Sequence, residues 1–273
     1  YNLSVRVFDG ENTTSEYVKL YYNETPQFRE GVFVVSNSLS LTTFSLLNDN
    51  YTANFYNSVH GDHLKTVVDS YNQQLIHSSS QPGNLSTIDL SSNSPGWNVN
   101  FVPFPLYTGF YSANQNLYLG EKNGGIEGFD KNGNPNYHTP INTGLYTECM
   151  HIHNNQFLVS EERSASTNTA RLVLYWMASG ALYQQAILNE DVKGIFSKST
   201  NTIILLGNNS SLNGKVLFYD VPSSFITSPF SINIGEIEDC FEIGNGTYLV
   251  AEGGNLTIID INTFTTSSYL SNI

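Results

Sequence analysis

Apolar residues along this chain come in short bursts separated by polar turns. Six bursts stand out: Phe33-Val-Val, Leu75-Ile, Leu117-Tyr-Leu, Phe157-Leu-Val, Ile204-Leu-Leu and Tyr248-Leu-Val. Their first residues lie 42, 42, 40, 47 and 44 positions apart. A short apolar run between polar turns reads as a strand. An alternating segment precedes the run, as in Thr147-Glu-Cys-Met-His-Ile-His and Glu238-Asp-Cys-Phe-Glu-Ile, with a polar turn between them. A second turn and a third strand follow, such as Val216-Leu-Phe-Tyr-Asp or Leu256-Thr-Ile-Ile-Asp, and a last alternating strand closes each unit.

Four strands per unit, called a to d with a innermost, repeated with a period in the low forties, predict an all-β fold: a six-bladed β-propeller over residues 24–273. Four of the c strands end in an apolar residue and Asp (Asp89, Asp130, Asp220, Asp260), whose carboxylates suit the following turn. Residues 1–23 differ. Tyr1-Asn-Leu-Ser-Val-Arg-Val-Phe and Ser15-Glu-Tyr-Val-Lys-Leu-Tyr-Tyr alternate around a polar turn, which predicts a β-hairpin. If that hairpin joined the repeat array, the alternative is seven blades.

Tyr248-Leu-Val-Ala-Glu-Gly-Gly-Asn-Leu-Thr-Ile-Ile-Asp-Ile-Asn-Thr resembles a YVTN-type propeller repeat, and Leu117–Asp130 and Leu75–Asp89 are similar but looser. The first hairpin resembles the last one of a PKD or related immunoglobulin-like domain. The resemblance implies a cell-surface setting with further domains upstream, and it carries no catalytic residues.

Composition narrows the partners. Only 13% of residues are charged, so Asn and Ser, 33 and 31 of them, must make much of the polar surface. The formal net charge of -13 repels phosphate backbones and anionic lipid, which excludes nucleic acid as an expected partner. No apolar run approaches a membrane span. Nine Asn-X-Ser/Thr sequons occur; Asn50, Asn84, Asn209, Asn245 and Asn255 are the candidate glycosylation sites. The two cysteines, Cys149 and Cys240, fall at the same place in strand a of units two apart, so they are expected to stay unpaired.

Motifs for nucleophilic, metalloprotease and nucleotide chemistry are absent. His60, Asp62 and His63 form the best metal-like cluster, without an obvious fourth ligand. Asp130-Lys-Asn-Gly-Asn-Pro-Asn superficially matches a calcium loop, but the turn glycine is displaced and Ile141 stands where a Glu is needed. No cofactor is expected, with Ca2+ the one ion left open. His151 and His153 share a strand face and are expected to pack between units.

Laid over each other, the repeats place Asn37, Ser79, Glu121, Glu161, Asn208 and Glu252 four residues past the anchors. Glu121, Glu161 and Glu252, joined by Glu148, Glu238 and Asp239 from the starts of strand a, would form an acidic mouth on one face. The expected function is a non-enzymatic extracellular surface or adhesion module for protein or glycan partners. The alternatives are a glycosidase or lyase using carboxylates at that mouth, and a propeller binding a cation or small ligand.

Overall fold

The computed structural model describes residues 107–271 except 114, 122–123, 141–143, 165, 168 and 230–231, and before them the strands named below with 72–73. In the earlier part, side chains are described only at 69, 72–76, 85–89 and 96–99; those of Tyr107 and Thr108 are not described. The chain divides into two compact units, 1–106 and 107–273.

In the first unit, β1 (Leu3–Phe8) and β2 (Thr13–Val18) pair as the expected antiparallel hairpin. Three strands, β3 (Val32–Ser38), β4 (Leu41–Leu47) and β5 (Ala53–Ser58), make the next sheet. Four follow in order: β6 (His63–Asp69), β7 (Gln74–Ser80), β8 (Gly83–Asp89) and β9 (Ser94–Asn100).

The second unit holds four sheets, each a four-stranded antiparallel meander. The first is β10 (Tyr107–Ala113), β11 (Asn116–Glu121), β12 (Ile126–Asp130) and β13 (Pro135–His138). The second is β14 (Leu145–His153), β15 (Phe157–Ser164), β16 (Ala170–Trp176) and β17 (Leu182–Leu188). The third is β18 (Asp191–Ser199), β19 (Thr202–Asn208), β20 (Gly214–Asp220) and β21 (Phe225–Thr227). The last is β22 (Ile237–Gly244), β23 (Thr247–Glu252), β24 (Asn255–Asp260) and β25 (Thr265–Leu270).

The six apolar anchors fall on six separate sheets, each within two residues of a strand start. Five lie on the second strand. Phe33 instead lies on the first strand of the three-stranded sheet, with no strand ahead of it in that sheet among the described residues.

Sheets of the second unit stack face to face, and the two-residue period of a strand divides each b strand between its neighbours. On β19, Ile203 and Leu205 pack with Phe157, Val159, Leu172 and Leu174 of the preceding sheet. Ile204 and Leu206 pack with Tyr248, Val250 and Ile259 of the following one. Every residue of β15 is buried, while the outermost strand β25 is exposed throughout. Each such Leu or Ile withdrawn from water contributes about 2 kcal/mol. The inner strands touch in the order β10, β14, β18, β22, and these contacts position everything described next.

Asp130, Asp220 and Asp260 end their c strands as the repeat predicts, and their carboxylates cap the turn. Asp130 Oδ1 accepts the amides of Asn132 and Asn134 at 2.8 and 2.9 Å, and Asp260 Oδ1 accepts that of Asn262 at 2.8 Å. Asp220 Oδ2 accepts the Ser223 amide at 3.1 Å. The bonds from the Asn134 side chain and amide hold the Asp130 carboxyl below its ordinary range. The calcium-like loop is therefore built as a c–d hairpin turn.

Candidate functional site

Each inner strand of the second unit carries a β-bulge near its start, and β6 of the first unit does too. The paired residues jump from Tyr107 to Gly109 on β10, Thr147 to Cys149 on β14, Val192 to Gly194 on β18 and Ile237 to Asp239 on β22. The extra residues are Thr108, Glu148, Lys193 and Glu238, at one structural position. A bulge twists its strand and re-aims the side chain it inserts. Glu148 and Glu238 are exposed and Lys193 is half-buried, so acidic, basic and acidic groups follow one another along one end of the inner strands. Lys193 Nζ sits 3.1 Å from Asp191 Oδ2, and the charges of Asp191 and Glu148 help to raise its pKa against the opposing effect of burial.

The bulges also give the true register of the repeats. Glu121, Glu162, Gly207 and Glu252 pair with the residue just before the bulge. Anchor counting had matched Glu161 and Asn208 to Glu121 and Glu252, a slip of one residue in opposite directions. A one-residue slip puts a strand residue on the other face. Glu162 and Glu252 share strand faces with Leu158 and with Val250, which pack on the preceding sheet. Glu161 and Asn208 share theirs with Val159 and Leu206, which pack on the following sheet.

The carboxylates expected at a common mouth therefore have separate surroundings. Glu121 ends β11, half-buried, and burial with the charge of Glu127 pushes its pKa up to about 7. Glu252 ends β23 and bridges two segments: Oε2 accepts the Gly235 amide and Oε1 the Thr257 hydroxyl, each at 2.5 Å. Glu162 accepts from the Tyr175 hydroxyl and pairs with Arg171 at 2.7 Å. Glu161 lies inside β15 rather than at its end, 1% exposed. Its Oε1 stands 3.0 Å from Arg163, whose guanidinium also reaches Asp191 Oδ1 at 2.8 Å, while the other oxygen of Glu161, Oε2, has no hydrogen-bond partner among the described residues. Burial, only partly offset by Arg163, pushes its pKa up to about 7. Of the other candidates, Glu148 contributes its charge to that rise. Asp239 is exposed on β22, with Oδ1 accepting the Cys240 amide at 2.8 Å.

Of the metal-like cluster, His60 and Asp62 lie outside the described residues, and His63 begins β6 without a described side chain. Among the described residues, no three His, Cys, Asp or Glu side chains gather to hold a metal. Asn50 is likewise outside the described residues, as is the side chain of Asn84. Asn245 is exposed in the β22–β23 turn, whereas Asn209 and Asn255 are half-buried. Sequence reasoning missed Arg163, Asp191 and Lys193. Aligning the inner strands instead of the apolar anchors would have put Lys193 beside Glu148 and Glu238.

No family model matches the chain, and no curated protein does. Solved structures do. Hydrazine synthase of Kuenenia stuttgartiensis superimposes with a TM-score of 0.63 at 9% identity, over 90% of this chain and 81% of that one. The WD40 repeats of RRP9 give 0.60 at 11% identity over 86% and 67%. BamB from Moraxella catarrhalis gives 0.55 at 9% identity over 87% and 76%. At such identities the likeness shows fold alone: the chain has the β-propeller fold. Among the described residues, no helix is long and apolar enough to cross a membrane.

Proposed function

We propose that this propeller is a non-enzymatic binding module of an extracellular surface or adhesion protein. It takes protein or glycan partners at the bulged ends of its inner strands. The carrying observation is the repeated bulge, which offers Glu148, Lys193 and Glu238 from three successive strands at one structural position. Side chains of both signs on a fixed scaffold can accept and donate hydrogen bonds to hydroxyl-rich or charged ligands. The extracellular setting is supported by the low charge and the Asn- and Ser-rich surface.

Screening against a glycan array and against surface proteins of the source cell tests the reading. The triple variant E148Q/K193M/E238Q should lose at least about tenfold in affinity for any ligand found, at an unchanged circular dichroism spectrum. Equal binding by the variant would place the contact elsewhere. Release of reducing ends from a polysaccharide, abolished by Glu148→Gln, would favour the glycosidase alternative instead.

A further inference from the structure

At the other end of the same inner strands, four side chains from three sheets form one hydrogen-bonded chain. His151 and His153 sit two apart on β14 and so share a face. Tyr111 on β10 places its hydroxyl 3.2 Å from His151 Nδ1. Ser197 Oγ on β18 lies 3.0 Å from His151 Nε2 and 2.8 Å from His153 Nδ1. His153 Nε2 ends the chain 3.0 Å from the Thr200 carbonyl, which also accepts from Asn154 Nδ2 at 2.6 Å.

Carbonyl Thr200 can only accept, which assigns the proton on His153 to Nε2. Its Nδ1 then accepts from the Ser197 hydroxyl, Ser197 Oγ accepts from His151 Nε2–H, and His151 Nδ1 accepts from Tyr111. This sequence of donors gives every ring nitrogen a partner with both rings neutral. A second proton would place N–H on His153 Nδ1 against the Ser197 hydroxyl and on His151 Nδ1 against the Tyr111 hydroxyl, forcing both to turn.

Among the described residues the surroundings are uncharged, and only the Thr200 carbonyl, by accepting from His153, favours a charged ring against the larger effect of burial. From β10 comes the Tyr111 phenol, from β18 Ser197 and the ring of Phe196, and from the turn after β18 the Thr200 carbonyl. On β14 itself Asn154 is the other polar neighbour. Tyr118 on β11 interacts electrostatically with Tyr111, and among the described residues no carboxylate contributes to the electrostatics of either ring. His153 is fully buried.

We propose that the Tyr111–His151–Ser197–His153 chain is an acid-released latch that fastens three successive inner strands at neutral pH and loosens their junctions on acidification. Burial first, and then His153, pushes the His151 pKa down to about 4, and burial likewise lowers that of His153. An imidazole exposed by local opening protonates near its ordinary pKa of about 6.5, so at pH 4.5 His151 alone should favour opening roughly 100-fold. The latch lies apart from the bulged ends and does not depend on them.

Hydrogen exchange followed by mass spectrometry, corrected for intrinsic rates, tests this between pH 7.5 and 4.5. Peptides covering 107–113, 145–153 and 191–199 should lose protection at least tenfold more than those covering 247–260. The double variant H151Q/H153N keeps a donor (the glutamine amide nitrogen) and an acceptor (the asparagine amide oxygen) facing Ser197 but cannot be protonated, and it should hold its protection at pH 4.5. Equal acid loss in both proteins overturns the latch. If the variant does not fold, the imidazole resonances of the wild type decide: rings neutral to below pH 5 support it, and titration near 6.5 in the folded state overturns it.

Discussion

Asn208 holds Ile237 by both edges of its side-chain amide. Nδ2 donates to the Ile237 carbonyl at 2.8 Å, and the Ile237 amide donates to Oδ1 at 2.7 Å. The end of β19 is thereby stitched to the first residue of the next sheet's inner strand, and Asn208 is 1% exposed. Arg163 occupies the matching place one sheet earlier, and it too reaches the first residue of the next inner strand, Asp191. The repeat thus uses one position to bind each of these sheets to its successor, with a different chemistry each time.

Removing the amide should be costly. Asn208→Ala leaves a buried N–H and a buried carbonyl without partners, at about 1–3 kcal/mol each. Asn208→Asp retains the acceptor but sets an oxygen against the Ile237 carbonyl, and should be at least as harmful above pH 6. Urea denaturation measures both; a loss under about 1 kcal/mol in the alanine variant would show that water replaces the clasp.

Glu161 gives stability a pH dependence whose sign can be derived. Its folded pKa, about 7, lies above the ordinary value of 4.5, so between those limits the folded protein binds a proton that the unfolded chain does not. Stability from this group therefore rises as pH falls from 7 to 4.5. Glu161→Gln, neutral at all pH, should be more stable than wild type at pH 8 by about 1–3 kcal/mol, and the gap should close by pH 5. A pH-independent gap would assign the burial cost to another group. Arg163→Met, which leaves Glu161 uncompensated and Asp191 with Lys193 alone, should cost about 3–5 kcal/mol at pH 8.

Gly194 lies on β18 just past the bulge, where a Cβ would come within 2.3 Å of Cys240 Sγ and 2.6 Å of the Phe196 ring. Gly194→Ala should destabilise by about 1–3 kcal/mol through overpacking. Cys240→Ala should recover part of that loss in the double variant, because the sulfur is the nearer obstacle. Additive effects in the thermodynamic cycle would mean that the strand shifts instead.

Neither cysteine forms a disulfide, and burial first, then Asp239, pushes the Cys240 thiol up to about 12. Two thiols should be counted after denaturation without reductant. In the native protein at pH 8, Cys240 should react at least tenfold more slowly than in denaturant. Comparable rates would show that the β18–β22 junction opens readily.

Sequons should be used according to burial. Expressed through a eukaryotic secretory pathway, the protein should carry glycan at exposed Asn245 and none at Asn208, whose amide nitrogen is committed to Ile237. Peptide mapping by mass spectrometry reads this directly. Occupancy at Asn208 would mean that modification precedes closure of the clasp.

The sequence alone determined the repeat. Runs such as Ile204-Leu-Leu are apolar on both sides because each b strand is covered on both faces, and Asp at the end of a c strand carries its turn within a few residues. Those are local demands, readable in one segment at a time. The sequence could not settle which face Glu161 takes. Counting from an apolar run tolerates an error of one residue, but a strand with a period of two does not. The bulges opposite β11, β15, β19 and β23 decide that register, and a bulge leaves no mark in composition. The partners of Arg163, Asn208 and His151 were equally hidden, since Asp191, Ile237 and Ser197 come from other sheets, 28 to 46 residues away. Only stacking of the sheets brings them within a hydrogen bond.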